Sequence, residues 1–578
     1  MEIRTLSPFF SVSPQITPED VGVIAALGFK TIISNRPDQE SESQPDNTLI
    51  RAATERAGLD WHHMPVISGN ITEQDVDQFQ DLIHRANGPV LAFCRTGTRC
   101  ASLWAMSQAR QHDVDAVLQA TQAAGYDLTG SRQRLLAQAS RGAGNLPQAV
   151  RRHDVVIVGG GAGGLATAAS LLSRQPDLNI GVIEPAQHHY YQPGWTLVGG
   201  GVFDRAQTAR PMSQVMPKAV HWHQTAVAQF EPAAREVVLE DGERIGYRIL
   251  VVSPGLKLNW EAIPGLQESL GSHGVTSNYR FDLAPYTWEL VQHLKQGTAL
   301  FTQPPMPIKC AGAPQKAMYL ACNHWQRNNR LGQINTEFCT AGAALFGVQD
   351  YVPALMEYVE RYNIQLAFQN TLLQVDGPGK RAVFARSKAN GEVEHIEKAF
   401  DMIHVCPPQI APDLIRNSPL ANAEGWLDVS PETLQHNQYG DIFGLGDGAG
   451  TPNAKTAAAV RKQAPVVAEN VLAALEGQPL RSIYDGYGSC PLTVERGRIV
   501  LAEFTYGGKL APSFPSWLIN GTRPSRLAWL LKEKMLPWLY WQGMLKGHEW
   551  LAAPKRLPHE PNRHEAVPAC DFKEPRQP

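Results

Sequence analysis

The chain has 578 residues and sets 52 Lys and Arg against 55 Asp and Glu, a net charge of -3 that offers no basic field to a polyanion and excludes nucleic acid as an expected partner. The length allows about three or four domains with sizeable cores. The opening residues show no charged-then-apolar leader and no long uncharged apolar run follows, so neither export nor a spanning helix is expected, and eight cysteines without a CxxC pair suit a reducing, cytoplasmic setting.

Residues 1–140 alternate strand patterns (31–34, 61–64, 90–93) with helical ones (18–27, 47–57, 73–86, 101–111), which predicts a compact α/β domain with a largely parallel sheet. Its loop, Cys94-Arg-Thr-Gly-Thr-Arg99, lies between a buried strand and a helix expected to start near Cys100. A cysteine placed there sits under backbone N–H groups at a helix N-terminus with Arg95 and Arg99 adjacent, and each influence favours a thiolate. The loop resembles two families. Protein tyrosine phosphatases share the strand, cysteine loop and helix, but their loop has one more residue between Cys and Arg. The shorter loop of rhodanese sulfurtransferases is similar to this one and suits a persulfide. The whole segment, including Asn35-Arg-Pro-Asp38, resembles the phosphatase-like domain found in bacteria beside sulfide-handling genes and often called a sulfur transferase. A phosphatase also wants a general acid on a mobile loop. Pro65-Val-Ile-Ser-Gly-Asn70 has none, and Asp75 and Asp77 fall in a helical pattern. Sulfur transfer, phosphate-ester hydrolysis and a buried or redox-sensing cysteine stay open, with Cys94 and Arg99 as the candidate catalytic residues.

Residues 141–152 are small and polar and read as a linker. Beyond them the apolar run 154–158 predicts a buried parallel strand, the glycines a tight turn, and 165–174 a helix. Gly159 permits the turn, Gly161 lets backbone approach a pyrophosphate, Gly163 belongs to the same loop, and Gly164 lets helix and strand pack closely. Glu184 ends the second strand, 180–183, where a carboxylate accepts a ribose hydroxyl. Together these features specify a dinucleotide site. Farther on, Gly444-Leu-Gly-Asp447 ends an apolar strand and sets Asp447 where two-domain flavoproteins hold the ribityl chain. The Ala-rich helix from Lys455 would aim its positive end at an isoalloxazine, so the expected cofactor is FAD. The turn where a second dinucleotide would bind, 303–312, is rich in proline and lacks the N–H donors that a pyrophosphate needs. NAD(P)H is therefore disfavoured, and Cys310 stands in its place, beside Lys309 and ahead of a helix starting near Pro314, both favouring a thiolate.

The stretch Pro185-Ala-Gln-His-His-Tyr-Tyr-Gln-Pro-Gly-Trp-Thr-Leu-Val-Gly-Gly-Gly201 closely resembles sulfide:quinone oxidoreductases, particularly the branch with the mitochondrial enzymes. The segments Ile249-Leu-Val-Val-Ser-Pro-Gly255, Ile308-Lys-Cys-Ala-Gly-Ala-Pro-Gln-Lys316, Gly444-Leu-Gly-Asp447, Lys455-Thr-Ala-Ala-Ala459 and Tyr487-Gly-Ser-Cys-Pro-Leu492 follow in the family's order. The resemblance implies that Glu184 and Gln192 bind the flavin nucleotide and that backbone near Val227 lies against the adenine. It also implies that sulfide attacks at Cys310 and leaves a persulfide, while electrons pass to a membrane quinone. The family's second cysteine directly follows the equivalent of Asp447, where this chain has Gly448. Cys322, Cys339, Cys406 and Cys490 lie in apolar settings and read as core. The outer sulfur is then expected to leave to a small thiol or sulfite, with Cys94 as a possible carrier replacing the missing partner.

Residues 511–552, aromatic and aliphatic with interspersed lysines, read as an amphipathic foot lying in a membrane surface, tryptophans at the headgroups and lysines reaching water. A helix pair packed on the domain is the other reading of that stretch. Residues 553–578 read as a disordered tail. The expected architecture is thus α/β: a phosphatase-like domain (1–140), then a Rossmann-like flavoprotein whose FAD domain comprises 153–295 and 411–510. A degenerate second nucleotide domain occupies 296–410, and the foot makes the enzyme peripheral on the inner membrane face. No metal site is read. Two other functions stay open: a flavin-dependent thiol or persulfide reductase fused to a phosphatase-like domain, and a non-catalytic redox or persulfide sensor.

Overall fold

The computed structural model describes every residue except 8, 87, 111, 113, 145–149, 389, 453 and 558–578. The chain divides into two compact units, Met1–Ala149 and Val150–Pro578. In the first, β1 (Arg4–Ser7), β2 (Phe10–Ser13), β3 (Thr31–Ser34), β4 (Asp60–His63) and β5 (Val90–Phe93) form one sheet in the order β1-β2-β5-β3-β4. All neighbours are parallel except the antiparallel edge pair β1–β2. The reading from sequence missed β1 and β2: Ser11 and Ser13 give β2 a polar alternation, yet all four of its residues are buried. Helix α1 (Thr98–Ala109) begins two residues ahead of Cys100 and packs Leu103, Trp104 and Met106 into a core with Phe10 and Phe79.

The last helix of this unit, Arg132–Gly144, takes up residues 141–144, and the next strand starts at Arg151. The extent of irregular chain is therefore less than the twelve-residue linker read from composition; residues 145–149 lie outside the described set.

The second unit opens on β6 (Arg151–Val158). Val155 and Ile157 enter one core and Val156 and Val158 another, which is why the strand reads as a continuous apolar run: both sheet faces are covered. It lies centrally among β7 (Ile180–Ile183), β8 (His221–His223), β9 (Val227–Glu231), β10 (Glu236–Leu239) and β11 (Arg244–Val252), in the order β8-β7-β6-β11-β10-β9, with Ile442–Gly444 added beside β11. Gly159 turns the chain at φ 101°, and α2 (Ala162–Arg174) then packs against β6. A Cβ on Gly164 would lie 1.8 Å from the Gly159 carbonyl oxygen, so only glycine closes this joint.

A second parallel sheet contains β12 (Val275–Thr276), β13 (Gly297–Gln303), β14 (Ile334–Thr340), β15 (Gln365–Phe368) and β16 (Met402–His404), ordered β12-β16-β13-β14-β15. Helix α3 (Ala313–Arg327) follows β13. The hairpin β17 (Gly488–Glu495) and β18 (Arg498–Phe504) buries Leu492, Val494, Val500 and Ala502 against Phe301, Trp325 and Phe338. The second nucleotide-type domain therefore starts near Val275 rather than residue 296. It also claims residues 488–504, which the sequence reading left with the FAD domain, because their apolar face belongs to its core.

Helix α4 (Ala457–Leu475) lies along α2, its first turn capped by Thr456. Successive helical turns, two of them π, then run from Arg526 to Lys546. They bury Ala528, Trp529, Tyr540, Trp541, Met544 and Leu545 and expose Leu527, Leu530, Met535 and Trp538. The segment thus packs on the domain along one face and leaves an apolar surface on the other. Among the described residues no helix is long and apolar enough to cross a membrane. Lys555–Arg556, inside the tail expected to lack order, pairs with Ser482–Ile483; residues 558–578 lie outside the described set.

Replacing Gly164 by Ala forces the Gly159 turn and α2 apart and is expected to cost about 1–3 kcal/mol, read as a lowered unfolding midpoint. Gly161→Ala, whose Cβ meets nothing within 4 Å, leaves that midpoint in place.

Candidate active site

A cleft of about 620 Å³ runs through the second unit, from the glycine loop past Glu184 to Cys310, Asp447 and Lys455. At its nucleotide end the carboxylate of Glu184 accepts the N–H groups of Gly160 (2.6 Å) and Ala186 (2.7 Å), which fixes it beside the loop. Gly159, Gly161 and Gly163 line the cleft, whereas Gly164 serves the strand–helix joint behind it. Val227 does not line the cleft: its side chain packs with Val156, Val158 and Ile183 in the core behind the sheet. The sequence-based placing of Val227 at the adenine thus gains no support from the lining.

The donor set fits a flavin dinucleotide. Gly161 leaves open space above the loop, and the buried Asn278 amide and Thr196 hydroxyl line the cleft without any hydrogen-bond partner. Buried polar atoms of this kind are costly unless a ligand satisfies them. Asp447 is raised by burial, opposed by Lys309 and Lys455. Lys455 is pulled down to about 8 by burial, with Asp447 opposing; its ammonium donates to the Ala449 carbonyl (2.9 Å) and lies 4.1 Å from the Trp426 ring centre. Gln192 accepts the Lys309 ammonium (2.6 Å), so the two family positions meet at the same wall.

Cys310 occupies the loop between β13 and α3 with φ 50°, a left-handed conformation that costs a non-glycine residue roughly 1–2 kcal/mol. It is held there by its N–H bond to the Lys455 carbonyl (2.8 Å) and by the Tyr279 hydroxyl, which donates to the Lys309 carbonyl (3.2 Å). The Lys316 ammonium, one turn into α3, donates to the Cys310 sulfur at 3.0 Å. The Cys310 thiol lies well below the usual range, first through a hydrogen bond from Cys490, against burial, and then through the Lys316 charge. Burial alone would neutralise Lys316, but the Cys310 sulfur holds it charged and raises it.

Cys322, Cys406 and Cys490 all lie in hydrophobic cores, as the sequence predicts, and burial pushes Cys322 and Cys406 up to about 12. Cys490 differs in having Cys310 packed against its cluster: the Cys310 sulfur beside it, and then burial, push its thiol well up. Lys532 departs from the sequence reading. Its ammonium turns inward to the Pro193 carbonyl (2.9 Å), is pulled down to about 7 by burial and by the Lys316 charge, and does not reach water.

The foot is also tied to the nucleotide loop through His189, which sequence did not single out. Its Nδ1–H donates to the Gly160 carbonyl (3.1 Å) and its Nε2 accepts the Tyr540 hydroxyl (2.6 Å). Burial pulls His189 down to about 4, so the ring is neutral and the two partners set its tautomer.

In the first unit the Cys94 thiol is pulled down to about 5 by a hydrogen bond from Cys100, against burial, with the N–H groups of Cys100, Thr96 and Arg99 adding to the effect. Gly97 N–H also donates to the Cys94 sulfur (3.2 Å). The Arg99 guanidinium departs from expectation: it is buried against the Glu40 carboxylate (2.5 Å) and the Asn35 carbonyl (2.9 Å), and Nε has no partner. The thiolate owes its stabilisation to Cys100 and the loop N–H groups instead. Asp75 closes the capping box of its helix and Asp77 pairs with Arg110 (2.6 Å), so neither stands over the loop as an acid.

Residues 2–111 match the family described as beta-lactamase hydrolase-like protein, phosphatase-like domain, and residues 153–300 match pyridine nucleotide-disulphide oxidoreductase. The mitochondrial sulfide:quinone oxidoreductase of Dictyostelium discoideum is 40% identical over 68% of this chain and 86% of its own length. A beta-lactamase hydrolase-like protein of Xylella fastidiosa is 38% identical over 19% of this chain and 25% of its own. The sulfide:quinone oxidoreductase structure from Aquifex aeolicus shares the fold, with a TM-score of 0.56 and 19% identity over 69% of this chain and 92% of that one.

Lys316→Met removes the charge at the Cys310 sulfur, and alkylation of Cys310 near neutral pH is expected to slow at least about tenfold. The midpoint of its rate-versus-pH curve moves up, because the thiolate form is the one that has lost its partner. Peptide-resolved alkylation kinetics measure both.

Proposed function

Because the chain belongs to the sulfide:quinone oxidoreductase family, we propose that sulfide oxidation takes place at the Cys310 sulfur in the cleft and that the C-terminal foot meets the quinone. The enzyme is an FAD-dependent oxidoreductase, with a phosphatase-like domain ahead of the flavoprotein. FAD supplies a two-electron acceptor for thiol and sulfide chemistry. The glycine loop and Glu184 would hold its nucleotide end, and Asp447 and Lys455 its ring end. The observation that carries the assignment is the Lys316–Cys310 contact of 3.0 Å within the same cleft as the glycine loop. Lys316 keeps the sulfur charged and nucleophilic, while the left-handed backbone at Cys310, fixed by Lys455 and Tyr279, aims it into the cleft.

The foot's outer face exposes Leu527, Leu530, Met535 and Trp538, and Trp517 nearby is 82% exposed. An apolar face of this kind, with tryptophans at its margin, suits the headgroup boundary, so the protein is read as monotopic, taking its quinone from the bilayer. The seven described cysteines are all free, which supports a reducing, inner-face location.

Sulfane sulfur leaves to a small thiol or sulfite, and Cys94 acts as a carrier. In support, its loop presents a thiolate, whereas Arg99 is engaged with Glu40 and the two candidate acids, Asp75 and Asp77, are taken up by a helix cap and by Arg110. The relatives favour sulfide oxidation coupled to a quinone over a disulfide reductase or a sensor.

Sulfide-driven reduction of quinone by vesicle-bound enzyme tests the core assignment. Cys310→Ser is expected to lower turnover by about a thousandfold or more with flavin content unchanged, and retained turnover would rule Cys310 out. The double variant Leu530→Glu/Trp538→Glu is expected to weaken vesicle binding at least tenfold, about 1.4 kcal/mol, in a flotation assay; undiminished binding would remove the foot from the membrane.

A further inference from the structure

The cleft has a second polar corner that the sulfur chemistry leaves unused. Tyr487, just ahead of β17, Glu503 on β18 and Ser513 on the loop beyond line it together with Arg461 and the foot's Trp538 and Trp550. The Tyr487 hydroxyl donates to Glu503 Oε1 (2.5 Å) and lies 3.1 Å from the Ser513 hydroxyl, while Glu503 Oε2 accepts the Ser513 N–H (3.1 Å). Glu503 is only 4% exposed, whereas Ser513 is exposed. The three groups therefore form a hydrogen-bonded chain from solvent to a buried carboxyl inside the cleft. Arg461, on the first turns of α4, gives one Nη to the Trp550 carbonyl, and its buried Nε has no partner among the described residues. That N–H suits a carbonyl oxygen of a bound molecule. Trp538 and Trp550 stack beside it with centroids 5.5 Å apart and planes 3° from parallel, both about half exposed. Flat apolar rings next to a spare donor and a proton chain fit a quinone headgroup, whose two oxygens must each gain a proton when it is reduced.

On the premise that this cleft passes electrons to a quinone, we propose that Tyr487 is the acid that protonates one quinone oxygen and that Glu503 is its proton store. Reduction of the quinone to the quinol takes two electrons and two protons. The electrons and one proton come from the reduced flavin, and the other proton comes from Glu503. In one step the Glu503 carboxyl O–H breaks and its proton goes to the Tyr487 oxygen, while the Tyr487 O–H breaks and its proton bonds to the quinone oxygen. Tyr487 ends neutral, and its new O–H points at the Glu503 carboxylate, which is the arrangement the structure shows. The tyrosine can only pass a proton on, because burial and then the Glu503 charge hold its hydroxyl above the usual range and disfavour a phenolate. Recharging runs the same way: Ser513 takes a proton from water and gives its own to Tyr487, which returns one to Glu503.

The test separates the two halves of turnover in vesicle-bound holoenzyme, with quinone binding measured apart from either. Quinone is titrated into the oxidised enzyme, which cannot reduce it, and tryptophan fluorescence quenching gives its affinity. Stopped-flow spectra then follow flavin bleaching by sulfide and flavin recovery at saturating quinone. Tyr487→Phe and Glu503→Gln are expected to bleach at the wild-type rate and to bind quinone within about threefold of wild type. Recovery in both slows about a hundredfold, as loss of a general acid does. Tyr351→Phe, which removes the hydroxyl bonded to the Glu503 main chain, changes none of the three readings. The proposal is overturned if either variant recovers at the wild-type rate, or if its slow recovery disappears once more quinone is added, which would leave the pair a binding role only. A wild-type flavin that sulfide bleaches and quinone fails to restore would instead overturn the quinone assignment on which the proposal rests.

Discussion

The contact between the Lys316 ammonium and the Cys310 sulfur organises the oxidoreductase unit. Lys316 is buried and Cys310 half-buried at the cleft wall, and the lysine's charge is tolerable there only with a partner, because an isolated buried ion costs several kcal/mol. Three separate parts of the fold meet at this pair. Helix α3 supplies Lys316, the Lys455 carbonyl grips the Cys310 backbone, and hairpin β17–β18 closes over the sulfur with Cys490. The foot adds Lys532, whose charge is suppressed first by burial and then by the Lys316 charge.

Much of this was legible in the residues, where local chemistry decided the outcome. The glycine loop, Glu184, Asp447 and Cys310 stand in short motifs whose roles follow from backbone conformation, and they converge on one cleft. What could not be read depends on contacts distant in sequence. Cys490 lies 180 positions beyond Cys310, in an apolar strand that any packing cysteine would suit. Only the side-chain-free Gly312 opposite gives a hint of it, and that hint requires the register of the hairpin. Lys532 looked like a surface lysine because it sits in an amphipathic helix, yet the π turn there points it inward. Arg99 looked like an anion clamp until Glu40, from a loop 59 residues earlier, claimed it.

The fold errors share that origin. Strand β2 pairs in the middle of its sheet although its serines alternate as on an edge, and residues 488–504 join a domain that began more than 200 positions earlier. In both cases tertiary burial overrode local pattern. His189 shows the same principle used for coupling: one neutral imidazole joins the phosphate-facing loop to the foot, so cofactor cradle and apolar surface share a hydrogen-bonded strut.

The central claim, that hydrosulfide gives its electrons to a flavin through a lysine-held thiolate, has a direct readout. Purified full-length protein, kept strictly anaerobic, is mixed with an equivalent of sulfide while its visible spectrum is recorded. The account predicts that the oxidised-flavin bands collapse and return when a quinone is added. Bands that persist through the addition would contradict it.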